Sequence, residues 1–389
     1  MEFFSRITTQ TDTQKIVREL TEGLEAEFDL GFLFISSFGK TSTEEIIELI
    51  NRRIKIKNLL GCTCAGIIGE QTEIERQPAT SLILAKLPGV KILAFCINQT
   101  QMETLSTPEA WFNFLEVYPN ENPIFLILPD PFQFDMNRFL DQLNKIFPHC
   151  SIVGGLASGA YQPLENTLFL NQKQFEEGLV GVILTGPIQV EAVVSQGCRP
   201  IGETYIVTKA QDNVVHELAG KPFIEVLQNV LYKIPAKDKL LAQEALFVGI
   251  AMNEYQHQFK RGDFLIRGLI GIDRNTGAGA IADYVKPGQT IQFHIRDAEA
   301  ATEDLNELLS AQQNKNKEKP KGALVFSCNG RGENLFRQPN HDIQIIQKYL
   351  GPVPAAGFFC AGEIGPVCKN NFLHGFTSSI ALFYPKVKT

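Results

Sequence analysis

A chain of 389 residues with 44% hydrophobic and 20% charged side chains is composed like a folded protein, and it is longer than one ordinary core fills. A formal net charge of −7 and a pI of about 5.5 exclude a basic field suited to nucleic acid or an anionic membrane surface. Apolar runs such as Phe32–Ile35 and Ile124–Leu128 are too short to span a bilayer, and Met1–Gln10 has no apolar signal core. The expected location is therefore the cytoplasm, where eight cysteines are expected as thiols.

The first expected element is a helix from Asp12 to about Phe28, with Asp12 as its cap and Ile16, Val17, Leu20 and Leu24 at helical spacing. A pattern then occurs three times. Its first occurrence is the strand Phe32–Ser36, a helix opened by Ser42 and Glu45, the turn Gly61-Cys62-Thr63-Cys64-Ala65-Gly66, and strands Ser81–Leu87 and Lys91–Ile97. The second is the strand Ile124–Leu128, a helix with Phe139, Leu140, Leu143 and Ile146 on one side, the turn Gly154–Gly159, and strands Gly178–Leu184 and Gln189–Ser195. The third is the strand Ala323–Ser327, a helix from about Asp342 to Leu350, the turn Gly357–Gly362, and the strand Ser378–Tyr384. All three turns read Gly-x-x-x-x-Gly, and two continue as Cys-Ala-Gly-x-Ile-Gly, at Cys64–Gly69 and Cys360–Gly365. The spacing predicts an internally repeated strand–helix–glycine turn–strand unit. The glycines serve tight turns, or the turns converge on a ligand; both readings stand.

Between the second and third occurrences the chain differs. A helix is expected from Asn213 to Leu231, broken near Gly220-Lys221-Pro222, then strands Ala245–Ala251, Phe264–Ile272 and Ile291–Ile295, and a helix from Asp297 to Leu309. The fold class is thus α/β, two halves with mixed sheets flanked by helices, divided as 1–196 and 197–389.

Two loops carry candidate chemistry. Ser327-Cys328-Asn329-Gly330-Arg331-Gly332-Glu333 follows a buried-type strand, at the end where α/β sheets place ligands. It is either a plain glycine turn or a site offering the Cys328 thiol, the Asn329 amide and the Arg331 guanidinium. Gly357–Gly375 gathers Cys360, Glu363, Cys368 and His374. Cys360 and His374 have bland readings as core residues, whereas Glu363 replaces Ile67 of the first occurrence in an otherwise matched motif. No metal and no cofactor is expected. Cys62-x-Cys64 lacks a paired partner at zinc spacing, and the phosphate-loop, dinucleotide and Gly-x-Ser-x-Gly patterns are missing. A cysteine nucleophile, Cys328 activated by His374 or Arg331, is the enzymatic alternative.

Four runs then carry a resemblance. Ser195-Gln196-Gly197-Cys198-Arg199-Pro200-Ile201-Gly202, Gly288–Ala298, Phe326–Gly332 and Gly357–Pro366, in that order, resemble the FIST proteins over about residues 30–385. The resemblance implies an N-terminal and a C-terminal module that together sense small ligands, amino acids among them. Elsewhere such modules adjoin signalling domains or an F-box, and here the two modules fill the chain, so the signal is expected to pass to a separate protein partner. The expected ligand is small and anionic or zwitterionic. Arg331 and Arg199 would pair with its acid group, Asn329 would add an amide, and Glu363 would take an ammonium. Cys198, Cys328, Cys360 and His374 would line the wall. An interaction scaffold without a small ligand is the other reading.

Overall fold

The computed structural model describes residues 1–24, 27–39, 41–256, 258–316 and 318–386. It is α/β, with mixed sheets flanked by helices. Two compact units form: Met1–Val194 with Asn306–Leu373 and the stretch from Thr377, and Ser195–Leu305 with His374–Phe376. Most of the chain after residue 305 belongs to the first unit. No helix among the described residues is long and apolar enough to cross a membrane.

The first unit contains three six-stranded sheets with one shared strand order. In the first, Leu30–Ser36 pairs in parallel with Leu59–Cys64 and antiparallel with Thr80–Lys86. In the second, Ile124–Pro129 pairs in parallel with Ile152–Gly155 and antiparallel with Leu179–Thr185. In the third, Gly322–Cys328 pairs in parallel with Ala355–Cys360 and antiparallel with Thr377–Pro385. Each opening strand is buried along its whole length, which explains its unbroken apolar run.

The hairpin that follows each glycine turn does not stay in its own sheet. Gly66–Gly69 leads into the third sheet, pairing Ile67 with Phe358. Leu168–Leu170 joins the first, pairing Leu168 with Cys62. Glu363–Val367 joins the second, pairing Glu363 with Gly155. Ile67, Leu168 and Glu363 thus hold corresponding places, each opposite the residue after a motif glycine.

Those leading glycines are required by close approach. A Cβ on Gly61, Gly154 or Gly357 would lie 1.8, 1.9 or 1.8 Å from the carbonyl oxygen of Leu33, Ile127 or Val325 on the neighbouring parallel strand. Inside the sheets lies one apolar cluster that includes Phe34, Leu126, Val180, Phe326 and Phe358, with Phe34 and Phe326 rings 5.0 and 5.7 Å from that of Phe358. Each such ring stabilises the fold by roughly 1.5–3 kcal/mol through burial. Helices Thr13–Thr21 and Thr43–Arg53 cover the first sheet through Ile16, Leu20, Ile46 and Ile50.

Asp12 and Ser42 cap those helices, accepting the N–H of Lys15 and Glu45 at 3.0 and 3.3 Å. The first helix stops at Thr21, and Phe28 belongs to a short strand, not to the helix expected to reach it. The second unit is an antiparallel sheet that closes on itself, since Cys198–Gln211 pairs with both Thr290–Arg296 and Val214–Leu218. Residues 214–218, expected as helix, are therefore strand, and the helix begins at Phe223. Phe223 and Phe293 fill this unit's core with their rings 5.5 Å apart.

Candidate ligand cleft

Parallel strands all run out at the same end, so the residues after them gather there. In the first unit those residues line a cleft of about 450 Å³. Each sheet supplies two turns. Phe38, Pro131 with Phe132, and Asn329 with Asn334 follow the opening strands. Ala65 with Gly66, Ser158 with Ala160 and Tyr161, and Ala361 follow the parallel partners. Glu75 and Arg76 complete the wall from the exchanged hairpin strand Thr72–Glu75.

Ser158 ties the turns together. Its hydroxyl accepts the Ala65 N–H at 3.0 Å and donates to the Phe359 carbonyl oxygen. Leu156 and Gly362 exchange a further bond across two turns, the Leu156 N–H reaching the Gly362 oxygen at 2.8 Å. The Phe359 ring forms part of the floor and is clamped on two sides. A Cβ on Gly66 would lie 2.7 Å from it, and one on Gly332 would lie 2.9 Å from it and 2.2 Å from Glu75 Oε1. Glu75 Oε1 accepts the Glu333 N–H at 2.8 Å, at the start of helix Gly332–Phe336. Burial raises the Glu75 carboxyl above its ordinary range, against the Glu333 N–H, which lowers it. Arg76, in the left-handed backbone region at φ +56°, pairs with Glu333 at 2.8 Å, both side chains being open to solvent.

Of the residues expected at a site, Asn329 lines this cleft. Arg331, expected to pair with a ligand's acid group, does not line the cleft. It is wholly buried, with Nε and Nη2 donating to the two Asp342 carboxylate oxygens at 2.7 and 2.9 Å and its guanidinium 5.2 Å from the Phe336 ring centre. Asp342 also accepts from Ser327 Oγ at 2.9 Å and lies 2.9 Å from His341 Nδ1. Burial alone would raise the Asp342 carboxyl; the charge of Arg331 and the bond to His341 hold it well below the usual carboxylate range. Glu73 sits beside this pair, accepting the Ile343 N–H at 2.7 Å, and burial together with the Asp342 charge pushes its carboxyl up to about 8.

Cys328, Cys360 and Glu363 are brought together beneath the turns and are buried. Burial drives Glu363 far above the ordinary range although the Thr377 N–H donates to it at 3.0 Å, and burial likewise raises the Cys360 thiol. Gly155 makes room for that thiol, since a Cβ there would lie 2.3 Å from Cys360 Sγ. Glu363 is therefore a core acid and not an exposed carboxylate offered to an ammonium. Arg199 and Cys198 belong to the second unit, where Arg199 Nε donates to Asp297 at 2.7 Å and its Nη1 to Asp238 at 3.1 Å. His374 is buried at the end of strand Asn370–His374.

Sequence reasoning missed Glu75, Arg76, Ser158, Phe359 and the rim aromatics. Phe359 and Ser158 lay inside the glycine motifs, so the repeated spacing was their signal. Nothing local marks Glu75 and Arg76, which reach the cleft only through hairpin exchange.

The fold defines an α/β protein with a cleft at the C-terminal ends of its parallel strands. The model of the FIST N domain matches residues 29–221 and that of the FIST C domain residues 224–366, and the chain belongs to the FIST family. FIST domains are sensory domains for small ligands in signal transduction. The chain is 36% identical over 382 residues to an uncharacterised protein of Mycobacterium tuberculosis, covering 97% of this chain and 98% of the relative. A Mycobacterium bovis protein is 36% identical over 339 residues, 87% of this chain and 86% of its own length. An F-box/LRR-repeat protein of Arabidopsis thaliana is 34% identical over 86 residues, 21% of this chain and 16% of its own. Among solved structures, the cyanuric acid hydrolase of A. caulinodans aligns over 100% of this chain and 99% of its own at 7% identity. The TM-score of that alignment is 0.33.

Proposed function

We propose that this protein is a cytoplasmic sensor that binds one small zwitterionic metabolite, such as an amino acid, in the cleft of the first unit and signals through a separate partner. The convergence of six turns on one cavity, with a carboxyl and a guanidinium at adjacent positions Glu75 and Arg76, carries the reading. The Arg76–Glu333 pair is solvent-exposed, and such pairs contribute about 0–1 kcal/mol, so exchanging Glu333 for a ligand carboxylate costs little. A ligand ammonium beside Glu75 would favour its charged form, against the burial that raises the carboxyl. Arg331 is wholly buried in its pair and Arg199 is held by two carboxylates in the second unit, so the acid-binding role passes to Arg76, whose pair is open to solvent. Cys328, the cysteine of the enzymatic alternative, is buried, and the Arg331 guanidinium that would activate it is paired with Asp342, which supports binding over thiolate chemistry.

Isothermal titration with the twenty amino acids tests this. Arg76→Ala should weaken the best ligand at least about tenfold, since charge-assisted bonds are worth roughly 1.5–3 kcal/mol each. It should leave the unfolding midpoint unchanged, because Arg76 is exposed. An unaltered affinity in Arg76→Ala, or no binding by any amino acid, overturns the reading.

A further inference from the structure

We propose that the cleft selects ligands carrying a flat aromatic ring; the inference rests on the zwitterion reading above and names the ligand's body. Three large hydrophobic side chains stand in solvent around the cleft, Phe38, Phe132 and Tyr161, at 48, 38 and 91% exposure. They come from three different turns, so no single loop's packing accounts for them. Their exposure costs free energy that an occupant covering them recovers. The fourth ring, Phe359, is only 2% exposed yet lines the same cavity.

Phe359 is also fixed. Gly66 and Gly332 crowd the ring from two sides, since a Cβ on either would lie 2.7 or 2.9 Å from it, and the Ser158 hydroxyl holds the backbone oxygen of Phe359 itself. A ring held this way loses no rotamer freedom when a ligand stacks on it, which is where preorganised sites gain affinity. The cavity, about 450 Å³, lies near the lower end of the range of about 300–1,000 Å³ for small-molecule sites, suited to one ring system with a charged head. Both charges lie in one segment, residues 75 and 76, while the rings belong to four others. Head and body of the ligand are thus read by different parts of the wall. Asn329 and Asn334 add amides that suit a polar ring edge.

The test compares L-phenylalanine, L-tryptophan, L-cyclohexylalanine, L-leucine and L-alanine by isothermal titration against the full chain. Cyclohexylalanine matches phenylalanine in size and is more apolar but not flat, so it separates stacking from plain burial. The aromatic amino acids should bind at least tenfold tighter than alanine and at least threefold tighter than cyclohexylalanine. Tyr161→Ala and Phe132→Ala, both at exposed positions, should each weaken phenylalanine by about threefold to tenfold and leave alanine unchanged. Cyclohexylalanine or leucine binding as tightly as phenylalanine overturns the aromatic inference, as does an unaltered phenylalanine affinity in both variants. If Arg76→Ala still abolishes whatever binding is seen, the zwitterion reading survives that result. If no amino acid binds, both fall together.

Discussion

Replacing Arg331 by Ala should destabilise the first unit by about 3–5 kcal/mol, the range for removing one partner of a buried ion pair. The side chain is wholly buried and gives Asp342 two charge-assisted bonds, at 2.7 and 2.9 Å. Without it the Asp342 carboxylate keeps Ser327 and His341 but loses the guanidinium fork that holds both of its oxygens. Domains have about 5–15 kcal/mol in total, so the loss is a large share. The sole tryptophan, Trp111, is buried in the first unit, and its fluorescence during urea unfolding reports that unit. Arg331→Lys should recover part of the loss, keeping the charge but not the fork. Arg331→Met with Asp342→Leu should lie within about 1–2 kcal/mol of the native protein, since no unpaired charge is left buried. The pH dependence has a defined sign. The folded Asp342 carboxyl lies below its ordinary value of 3.8, so its contribution is present above about pH 4 and disappears as pH falls through the folded value. In Arg331→Ala burial raises that carboxyl, and the deficit should shrink on acidification. A loss below about 1 kcal/mol at neutral pH, or a double variant as damaged as Arg331→Ala, would refute the account.

Glu73 titrates with the opposite sign. Its folded value of about 8 lies above the ordinary value of 4.5, so its contribution is full below about pH 4.5, falls by up to about 1.4 kcal/mol per pH unit, and is gone above 8. Glu73→Gln should flatten that slope, and a slope that persists unchanged removes Glu73 as its source. Gly154→Ala should cost at least about 2 kcal/mol because its Cβ would meet a backbone oxygen, whereas Gly271→Ala, with nothing within 4 Å, should be nearly neutral; equal urea midpoints would contradict the close-approach argument. Eight thiols should titrate after denaturation, and in the folded protein a bulky thiol reagent should react fast with Cys368 alone, the one exposed cysteine; fast labelling of Cys328 or Cys360 would show that the turn layer opens.

The parallel pairs were readable because strands covered on both faces become unbroken apolar runs, as in Leu30–Ser36 and Gly322–Cys328. The glycine motif was readable because one steric demand recurs at Gly61, Gly154 and Gly357. Hairpin strands such as Thr72–Glu75 and Lys173–Phe175 are short and polar, so they leave no periodic trace. Val214, Val215 and Leu218 satisfy a helical spacing and a bulged strand equally, and pairing with residues 207–211 decides for the strand. Arg331 looked solvent-facing because its neighbours are glycines. Its partner Asp342 lies eleven residues on, across a short helix, and nothing in the sequence links the two.

The same exchange that hid the cleft residues makes the cleft a long-range structure. Glu75 reaches the Glu333 N–H across 258 residues, and Glu73 reaches the Ile343 N–H across 270. Both acids lie on one side of the strand Thr72–Glu75, two residues apart, and each satisfies a backbone donor near the start of a helix, where four such donors lack internal partners. The third sheet therefore lacks two of its six strands until residues 66–75 meet residues 322–360. Closing such a loop costs entropy before any contact offsets it, and contacts this remote in sequence slow folding. A fragment ending at residue 196 carries Phe38, Glu75, Arg76, Phe132 and Tyr161 but neither Phe359 nor Asn329, so it has the rim and the charges without the floor that orders them. The cleft is a property of the assembled first unit, and residues 1–196 alone cannot build it.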